Sequence, residues 1–360
     1  MDVPPYILYF VSFAAAMAIS LLTAPQIITI AGRWQWFDVP DDKRKFHTNT
    51  IPSLGGVAIF FAFIITSSLV VQTATFPRWH FMIAASALLF LTGLMDDLVA
   101  LSAWKKLVLQ IIPIVIAVVL GDIRIISLHG LFGIGLLPYW ASVAATIIGC
   151  VFFTNAFNFI DGIDGLAGST GVLYTAILGI CLALTGNYSA ACISFSLMGA
   201  TLGFLRYNIT PARLFMGDTG SLLLGYTISA LCVVFINTYN QGTAILNWIK
   251  DPQKAILFCL AILSLPIADC IRVFATRLGK GVSPFHADRN HLHYFLLDIG
   301  LTDLQATAAI IFLNLVMITT AFLLQDAGNG VILACLTILS LLIFAVVYFL
   351  RKPFVEKEGK

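Results

Sequence analysis

Long runs of apolar residues, separated by short polar segments, dominate the chain. The runs are continuous rather than alternating, so they predict helices and exclude a transmembrane β-barrel, whose strands give alternating segments of about ten residues. A helix needs about twenty apolar residues to cross the hydrocarbon core of a bilayer. Runs of about this length predict eleven spans: 5–31, 56–72, 80–96, 105–121, 138–158, 166–186, 189–206, 218–237, 254–273, 304–324 and 330–350.

The composition also indicates a membrane protein. Of the 360 residues, 59% are hydrophobic and 11% are charged, whereas soluble domains carry roughly a quarter charged residues. The longest hydrophilic stretches, 32–56 and 276–305, are too short for a separate soluble domain. We therefore predict an all-α polytopic integral membrane protein with one transmembrane domain over 1–360. Within it, 276–305 is predicted to be a cytoplasmic loop rich in His and Arg.

The basic residues predict how the chain is oriented. If the N-terminus lies outside, sixteen of the twenty Lys and Arg residues fall on the inner side. Cytoplasmic loops carry such an excess, which predicts an outer N-terminus, an inner C-terminus and chemistry on the cytoplasmic face. The basic residues are too few and too scattered to predict a nucleic-acid partner. The outer connection 121–138 alternates in polarity and predicts a short hairpin or an amphipathic turn.

Two adjacent acidic residues, Asp96 and Asp97, end the third predicted span. Carboxylates there oppose the helix macrodipole, which favours cations by roughly 0.3–1 kcal/mol per charge. A surface turn is the structural alternative, but an ionisable group at a membrane helix indicates function by default. Because neighbouring side chains on a helix point about 100° apart, we expect the two residues to have different roles. Asp298 and Asp303, by contrast, are expected to be solvated loop charges.

A second polar segment begins at the inner end of the fifth predicted span and continues past it. Asn155, Asn158, Asp161 and Asp164 recur at every third position, with glycines among them. The glycines alone would fit a helix-packing seam. Four Asn and Asp side chains in so short a segment favour a hard cation or sugar hydroxyl groups as the ligand.

Two further segments carry groups suited to phosphates. Asp218 opens the eighth predicted span, where it is equally suited to capping the helix, and a helix N-terminus also attracts phosphate. The segment 286–294, His-Ala-Asp-Arg-Asn-His-Leu-His-Tyr, combines three His with an Arg. Its spacing is not that of a zinc motif, so a cationic phosphate-binding loop fits better. Carboxylates suited to Mg²⁺ and cations suited to phosphates on one membrane face predict phosphoryl transfer.

A transporter is the alternative from another functional class, given the number of spans. Transporters place ionisable residues near the bilayer midplane, whereas the charges here lie at or beyond the predicted span ends. Asp269 and Arg272 fall in the last turn of the predicted span 254–273. The pattern therefore favours an enzyme.

The ordered set of polar segments is similar to the polyprenyl-phosphate N-acetylhexosamine-1-phosphate transferases, and the similarity covers nearly the whole chain. The loop at 286–293 resembles the branch that uses UDP-GlcNAc rather than the peptidoglycan branch. At Tyr294 the chain departs from the family, which commonly has His at this position. The segments that carry the resemblance are Arg44 to His47, Ile51 to Gly56, Asp96-Asp97, Asn155 to Gly168, Phe215 to Ser221 and His286 to His293.

The resemblance implies transfer of GlcNAc-1-phosphate from UDP-GlcNAc to undecaprenyl phosphate, with release of UMP and a requirement for Mg²⁺ or Mn²⁺. It implies a bacterial cytoplasmic (inner) membrane and the first step of a cell-surface polysaccharide such as O-antigen or enterobacterial common antigen. A sister transferase for another UDP-N-acetylhexosamine stays open, as does a homodimer, and membrane lipid surrounds the chain.

The resemblance also implies roles for single residues, which group into three sets. The metal ligands would be Asp218 and Asn158. The catalytic set would be Asp96, Asp97, Asp161 and Asp164, with Asp96 and Asp97 at the lipid phosphate. The substrate-binding set would be Lys45, His47, Lys106, Asn208, Phe215, His286, Arg289, His291 and His293.

Phosphate chemistry constrains this expected reaction. A phosphate monoester has a second pKa near 6, so the lipid phosphate is mostly dianionic at pH 7. It therefore needs charge neutralisation more than a general base. We favour direct in-line attack on the β-phosphorus, with a covalent Asp intermediate as the alternative.

Overall fold

The computed structural model describes residues 4–34, 51–71, 76–238, 251–284 and 288–358, with side chains described as far as residue 353. These residues form twelve helices and one small sheet. The helices are α1 Pro5–Trp34, α2 Gly55–Val70, α3 Trp79–Val99, α4 Ala103–Val115, α5 Tyr139–Phe159, α6 Leu166–Leu184, α7 Tyr188–Asn208, α8 Gly217–Thr238, α9 Pro252–Gly279, α10 Leu292–Asp298, α11 Asp303–Leu323 and α12 Asn329–Glu358.

Ten of the described helices are long and apolar enough to cross a membrane, among them α4 together with the π-helical turn Ile116–Leu120 that continues it. The chain is thus a mostly helical, multi-pass membrane protein, as the apolar runs predict. Helix α2 is apolar but has only 16 residues. The count of eleven spans and the orientation of the chain stay predictions.

Helix α9 is longer than its apolar run predicts. It has 28 residues, contains Pro266 and continues to Gly279. Asp269 and Arg272 therefore lie inside the helix rather than in its last turn, which corrects the predicted span 254–273. The segment 276–305, predicted as a loop, contains the end of α9 and all of the short helix α10.

Helix α8 forms the centre of the bundle. In its most apolar stretch 94% of the residues are buried inside the protein, against 22% in α1. Helices α2, α3, α5, α6 and α9 pack around it. Because α8 is surrounded by protein, its two ends are held in place, and other segments can pack against them.

The outer helix α1 packs on α7 through small side chains. Without a hydrophobic driving force between helices in lipid, close backbone approach through small residues is a main source of association. A Cβ atom added to Gly199 would lie 2.1 Å from the carbonyl oxygen of Phe13, and one on Gly203 would lie 2.7 Å from that of Met17. The small buried residues of α1 recur at four-residue spacing: Ser12, Ala16, Ser20 and Ala24.

Two glycines allow the first turn of α8 to lie directly against α2 and α3. A Cβ atom on Gly56 of α2 would lie 2.1 Å from the backbone nitrogen of Gly220. One on Gly93 of α3 would lie 2.5 Å from the backbone nitrogen of Thr219 and from the carbonyl oxygen of Asp218. The start of α8 is therefore held between two helices at backbone contact.

A β-hairpin is attached to the opposite end of α8. Strand β1, Ser127–Leu131, pairs antiparallel with β2, Ile134–Leu136, which confirms the hairpin predicted for 121–138. Asn237, near the end of α8, donates to the carbonyl oxygen of Arg124 at 2.7 Å and accepts from the backbone N–H of Ile126 at 3.2 Å. Helix α8 thus connects the hairpin at one end of the bundle to the segments at the other end.

The close approach at Gly93 predicts a specific sensitivity to substitution. We expect Gly93→Ala to lower the thermal unfolding midpoint of the purified protein, because the new methyl group would collide with backbone that cannot move aside; such overpacking costs roughly 1–3 kcal/mol. Gly149→Ala in α5 is the matched control, since nothing lies within 4 Å of a Cβ atom there. Equal midpoints for the two variants would contradict the close-packed contact.

Candidate active site

A cavity of about 450 Å³ opens at the N-terminal end of α8. It lies where the C-terminal ends of α3, α5 and α7 meet the N-terminal ends of α8 and α11. The side chains around it are mainly acidic and polar. The lining residues are Ser53, Asp96, Asp97, Ala100, Asn158, Asp161, Gly162, Ile163, Asp164, Asn208, Phe215, Gly217, Asp218, Arg289, Tyr294, Leu297 and Asp303.

Asp97 caps the start of α8 from another helix. Its carboxylate accepts from the backbone N–H of Asp218 at 2.8 Å, from the backbone N–H of Thr219 at 2.9 Å and from the Thr219 hydroxyl. The first N–H groups of a helix have no partner within it, and a carboxylate there is also favoured by the macrodipole. Asp218, one of whose predicted roles is the cap, does not cap the helix; its side chain is available for other contacts.

The residue that starts α8, Gly217, has a conformation that requires glycine. Its φ is +70°, and a Cβ atom would lie 2.1 Å from the carbonyl oxygen of Ser53. The backbone N–H groups of Gly55 and Gly56 donate to the carbonyl oxygens of Phe215 and Met216 at 2.8 and 2.9 Å. The start of α2 is thereby paired with the segment before α8, which brings Ser53 and Phe215 to the cavity.

Asp96 and Asp218 share one cation, the ammonium of Lys106 on α4. Lys106 Nζ lies 3.0 Å from a carboxylate oxygen of Asp96 and also donates to Asp218. Asn158 donates to Asp218 and, at 2.8 Å, to the Ser221 hydroxyl. Residues from the four helices α3, α4, α5 and α8 therefore form one hydrogen-bonded cluster at the cavity. As the 100° offset predicts, Asp96 and Asp97 have different partners.

Asp161 lies in the turn between α5 and α6. Burial, together with the neighbouring carboxylates of Asp218 and Asp97, raises the pKa of Asp161 to about 8. The group therefore holds a proton at neutral pH in the ligand-free protein. A protonated carboxyl group can donate a hydrogen bond to an anionic ligand instead of repelling it.

Asp164 and Asn208 hold backbone in place beside the cavity. Asp164 accepts from the backbone N–H of Ala212 at 3.0 Å. Asn208, which is buried, accepts from the backbone N–H of Gly165 at 3.1 Å and donates to the carbonyl oxygen of Leu214 at 3.0 Å. Both side chains thus fix the loop from α7 to α8 against the turn before α6. Their predicted contacts with the donor stay predictions.

His291 and His293 lie behind the cavity wall and are not among the lining residues. Their exposed fractions are 5% and 1%. The Nδ1 atom of His291 lies 2.9 Å from a carboxylate oxygen of the buried Asp269. Burial lowers the pKa of His293 to about 3, so this ring is neutral, and it packs on Gly162, whose Cβ atom would lie 2.2 Å from His293 Nε2. The predicted phosphate contacts of both rings stay predictions, and neither side chain reaches the cavity surface.

The cavity is also lined by residues that the sequence predicted to be solvated, or for which it predicted no role. Asp303, expected to be a solvated loop charge, lies in the first turn of α11 beside the cavity, and its carboxylate is 3.4 Å from the backbone nitrogen of Asp164. Ser53 and Leu297 also line it. The position of Asp303 directly after the helix-capping Thr302 was a signal that it belongs to a helix start. Three predicted substrate-binding residues, Lys45, His47 and His286, lie outside the described residues.

Comparison with known proteins places this arrangement in a family. The sequence profile of glycosyl transferase family 4 matches residues 79–236, the part that carries Asp96 through Asp218. A protein of Yersinia pestis, undecaprenyl-phosphate alpha-N-acetylglucosaminyl 1-phosphate transferase, is 30% identical over 73% of this chain and 70% of its own length. A decaprenyl-phosphate N-acetylglucosaminephosphotransferase of Mycobacterium tuberculosis is 30% identical over 83% of this chain and 78% of its own length.

The chain belongs to glycosyl transferase family 4. This confirms the resemblance that the ordered motifs carry and makes the chain a phosphosugar transferase. A third relative, a probable undecaprenyl-phosphate N-acetylglucosaminyl 1-phosphate transferase of Bacillus subtilis (strain 168), is 29% identical over 88% of this chain and 85% of its own length. The similarity to this relative therefore extends over most of the chain.

The donor atoms of the transferase suit Mg²⁺ or Mn²⁺. Among the described residues, no three His, Cys, Asp or Glu side chains converge as a complete metal site. Mg²⁺ does not require one, since it is usually bound by one or two carboxylates together with substrate phosphates and water. Asp218 offers a hard carboxylate ligand of that type. Asn158 donates its amide N–H to Asp218, and its amide oxygen, which accepts from Lys106 at 3.4 Å, is a second hard oxygen in the same cluster.

We expect Asp97→Asn to destabilise the transferase. The amide would replace one acceptor oxygen with an NH₂ group facing backbone N–H donors, and loss of a helix cap costs roughly 0.5–2 kcal/mol. The measurement is the thermal unfolding midpoint in detergent. Asp122→Asn is the matched control, because Asp122 forms partly exposed ion pairs with Arg78 and Arg124, which are worth little. A midpoint for Asp97→Asn equal to that of the control would show that the cap carries no stability.

The raised pKa of Asp161 predicts how stability depends on pH. The ordinary pKa of an Asp side chain is 3.8, and that of Asp161 in the folded protein is about 8. The folded state therefore binds this proton more tightly than the unfolded state, so the free energy of unfolding falls as pH rises from about 4 to about 8. Asp161→Asn removes this loss, so its gain in unfolding midpoint over wild type should be larger at pH 8 than at pH 5. The comparison is made with a metal chelator present. Parallel curves for the two proteins would rule out the raised pKa.

Proposed function

We propose that the transferase moves GlcNAc-1-phosphate from UDP-GlcNAc to undecaprenyl phosphate and releases UMP. The cluster of Lys106, Asp96, Asp218 and Asn158 at the head of α8 carries the proposal. It combines a fixed cation with hard oxygen donors beside a cavity of about 450 Å³, a volume within the usual range for ligand pockets. The names of the relatives, which are GlcNAc-1-phosphate transferases acting on undecaprenyl or decaprenyl phosphate, support the choice of substrates.

The proposed reaction exchanges one P–O bond for another. An oxygen of the lipid phosphate attacks the β-phosphorus of the donor in line with the bond to the bridging oxygen. That bond breaks, and the bridging oxygen leaves with UMP. The bond between the sugar and its phosphate is untouched, so the anomeric configuration of the sugar is retained.

The residues of the chain act mainly by positioning and by balancing charge, as in other phosphoryl transfers. Lys106 neutralises negative charge beside Asp96, the side chain we assign to the acceptor phosphate. Asp161 lines the cavity between α5 and α6, where we assign it to the donor. A divalent cation held by Asp218 and Asn158 would lower the charge of the diphosphate and of the departing UMP.

Asp97 has a different place in this proposal. Both of its oxygens are engaged with the start of α8, so it fixes Asp218 rather than serving as a base. The lipid phosphate does not need a base, because its second pKa is near 6. Direct attack therefore requires no further proton acceptor.

The proposed setting is a bacterial cytoplasmic membrane, with the cavity on the cytoplasmic side. The excess of basic residues on the inner side supports this orientation. The product, a polyprenyl-diphosphate-linked GlcNAc, would begin a cell-surface polysaccharide such as O-antigen or enterobacterial common antigen. The substrates are tested directly by measuring UMP release from a panel of UDP-sugars with undecaprenyl phosphate, with and without Mg²⁺; release only with another sugar would overturn the choice of GlcNAc.

We expect Asp218→Asn to abolish Mg²⁺-dependent UMP release while the protein stays folded. The reason is that the amide removes the charge to which a divalent cation would bind. Turnover at saturating Mg²⁺ and the unfolding midpoint are measured together, with Asp122→Asn as the control at the other end of the bundle. Near-normal turnover of Asp218→Asn would refute its assignment as a metal ligand.

A further inference from the structure

One wall of the cavity carries an Arg–aromatic pair. The guanidinium carbon of Arg289 lies 5.0 Å from the centroid of the Tyr294 ring, and both side chains line the cavity. A guanidinium within about 6 Å of an aromatic face is attracted by the ring quadrupole. We propose that Tyr294 is a positioning residue that holds Arg289 at the wall for the diphosphate of the donor. This inference rests on the proposed function.

The position of the Tyr294 ring is fixed, because the helix that carries it, α10, is bound to α9 and α12. The ring of Phe295, the next residue, is in contact with two guanidinium groups, that of Arg272 at 4.8 Å and that of Arg351 at 4.2 Å from its centroid. Arg351 also donates to Asp298 at the end of α10 at 2.6 Å. Two cations and one ion pair therefore tie the short helix to α9 and α12.

The start of α10 is fixed as well. Asp269 accepts from the backbone N–H of Leu292 at 3.2 Å and from Arg272 at 2.8 Å. The ring of His293, buried against Gly162, lies 4.2 Å from the Tyr294 ring at an angle of 53°. The orientation of Tyr294 is thus set by its neighbours before any ligand binds.

The charge of the cavity explains why the position of Arg289 matters. Six Asp side chains line it, and within the part of the chain that the structure describes Arg289 is the one Lys or Arg that does so. The guanidinium fork recognises phosphate oxygens in a bidentate manner. A long Arg side chain loses considerable freedom when it is ordered, so a ring that holds it in advance lowers the cost of binding the donor.

Tyr294→Leu removes the aromatic face and keeps an apolar side chain. We expect the KM for UDP-GlcNAc and the Kd for UDP with Mg²⁺, measured calorimetrically, to rise roughly 3- to 30-fold, the range that one cation–π contact supports. The change in kcat should be smaller. Tyr294→Phe keeps the ring, so it should lose less affinity than Tyr294→Leu.

A double-mutant cycle distinguishes positioning from direct contact. If Tyr294 acts through Arg289, adding Tyr294→Leu to Arg289→Gln should change the Kd for UDP little beyond the effect of Arg289→Gln. Losses that multiply would overturn the inference, because Tyr294 would then act independently of Arg289. The unfolding midpoint of each variant is measured alongside, and Tyr294→Met replaces Tyr294→Leu in the cycle if the latter does not fold.

Another Arg–Tyr pair provides the matched control. Arg124 lies 4.8 Å from the ring of Tyr139, near the hairpin and outside the cavity lining, so Tyr139→Leu should leave the Kd for UDP unchanged. Failure of the wild-type protein to bind UDP and to release UMP would overturn the proposed function and this inference with it. A wild type active on UDP-GlcNAc, combined with independent losses in the cycle, would overturn the inference alone.

Discussion

The cavity depends on one interaction, the capping of α8 by the carboxylate of Asp97. The cap comes from α3, and it can reach the helix only because Gly93 lets the two backbones touch. With the first N–H groups satisfied from outside, Asp218 is left to face Lys106 and Asn158. Beside this contact, backbone hydrogen bonds between the start of α2 and the segment before α8 bring Ser53 and Phe215 to the cavity. A single carboxylate thus sets the geometry of side chains from several helices.

Charge balance is the second constraint. A group of six Asp residues at the edge of a bilayer would repel both one another and a nucleotide diphosphate. Three features reduce this repulsion in the ligand-free protein. One ammonium is shared by two carboxylates, other carboxylates accept hydrogen bonds from backbone N–H groups, and Asp161 holds a proton. The ammonium and the proton lower the net negative charge of the cavity, and the hydrogen bonds stabilise the carboxylates that stay charged.

The apolar runs were sufficient to predict most helices, because hydrocarbon thickness sets the length of a span. The run 138–158 corresponds to Tyr139–Phe159, and the run 189–206 to Tyr188–Asn208.

Contacts between distant segments could not be predicted. A cap normally precedes its helix in sequence, whereas Asp97 lies 121 residues before the N–H group it accepts from. His291 and His293 resembled a cationic loop, but Leu292, Phe295 and Leu296 between and after them form the apolar side of a short buried helix. The departure at Tyr294 was visible in the sequence, while its contact with Arg289 was not.

Helix α9 has a consequence for how two substrates of different solubility reach one cavity. Its 28 residues extend about 42 Å, roughly 12 Å more than the hydrocarbon core. A helix of this length tilts or extends past the hydrocarbon core. Its end and α10 form one side of the site, with Tyr294 at the cavity, while Asp96 and Lys106 lie at the ends of α3 and α4 on another side. In the proposed reaction a water-soluble donor and a lipid-anchored acceptor must both reach the cavity, and these two sides give them separate walls to contact.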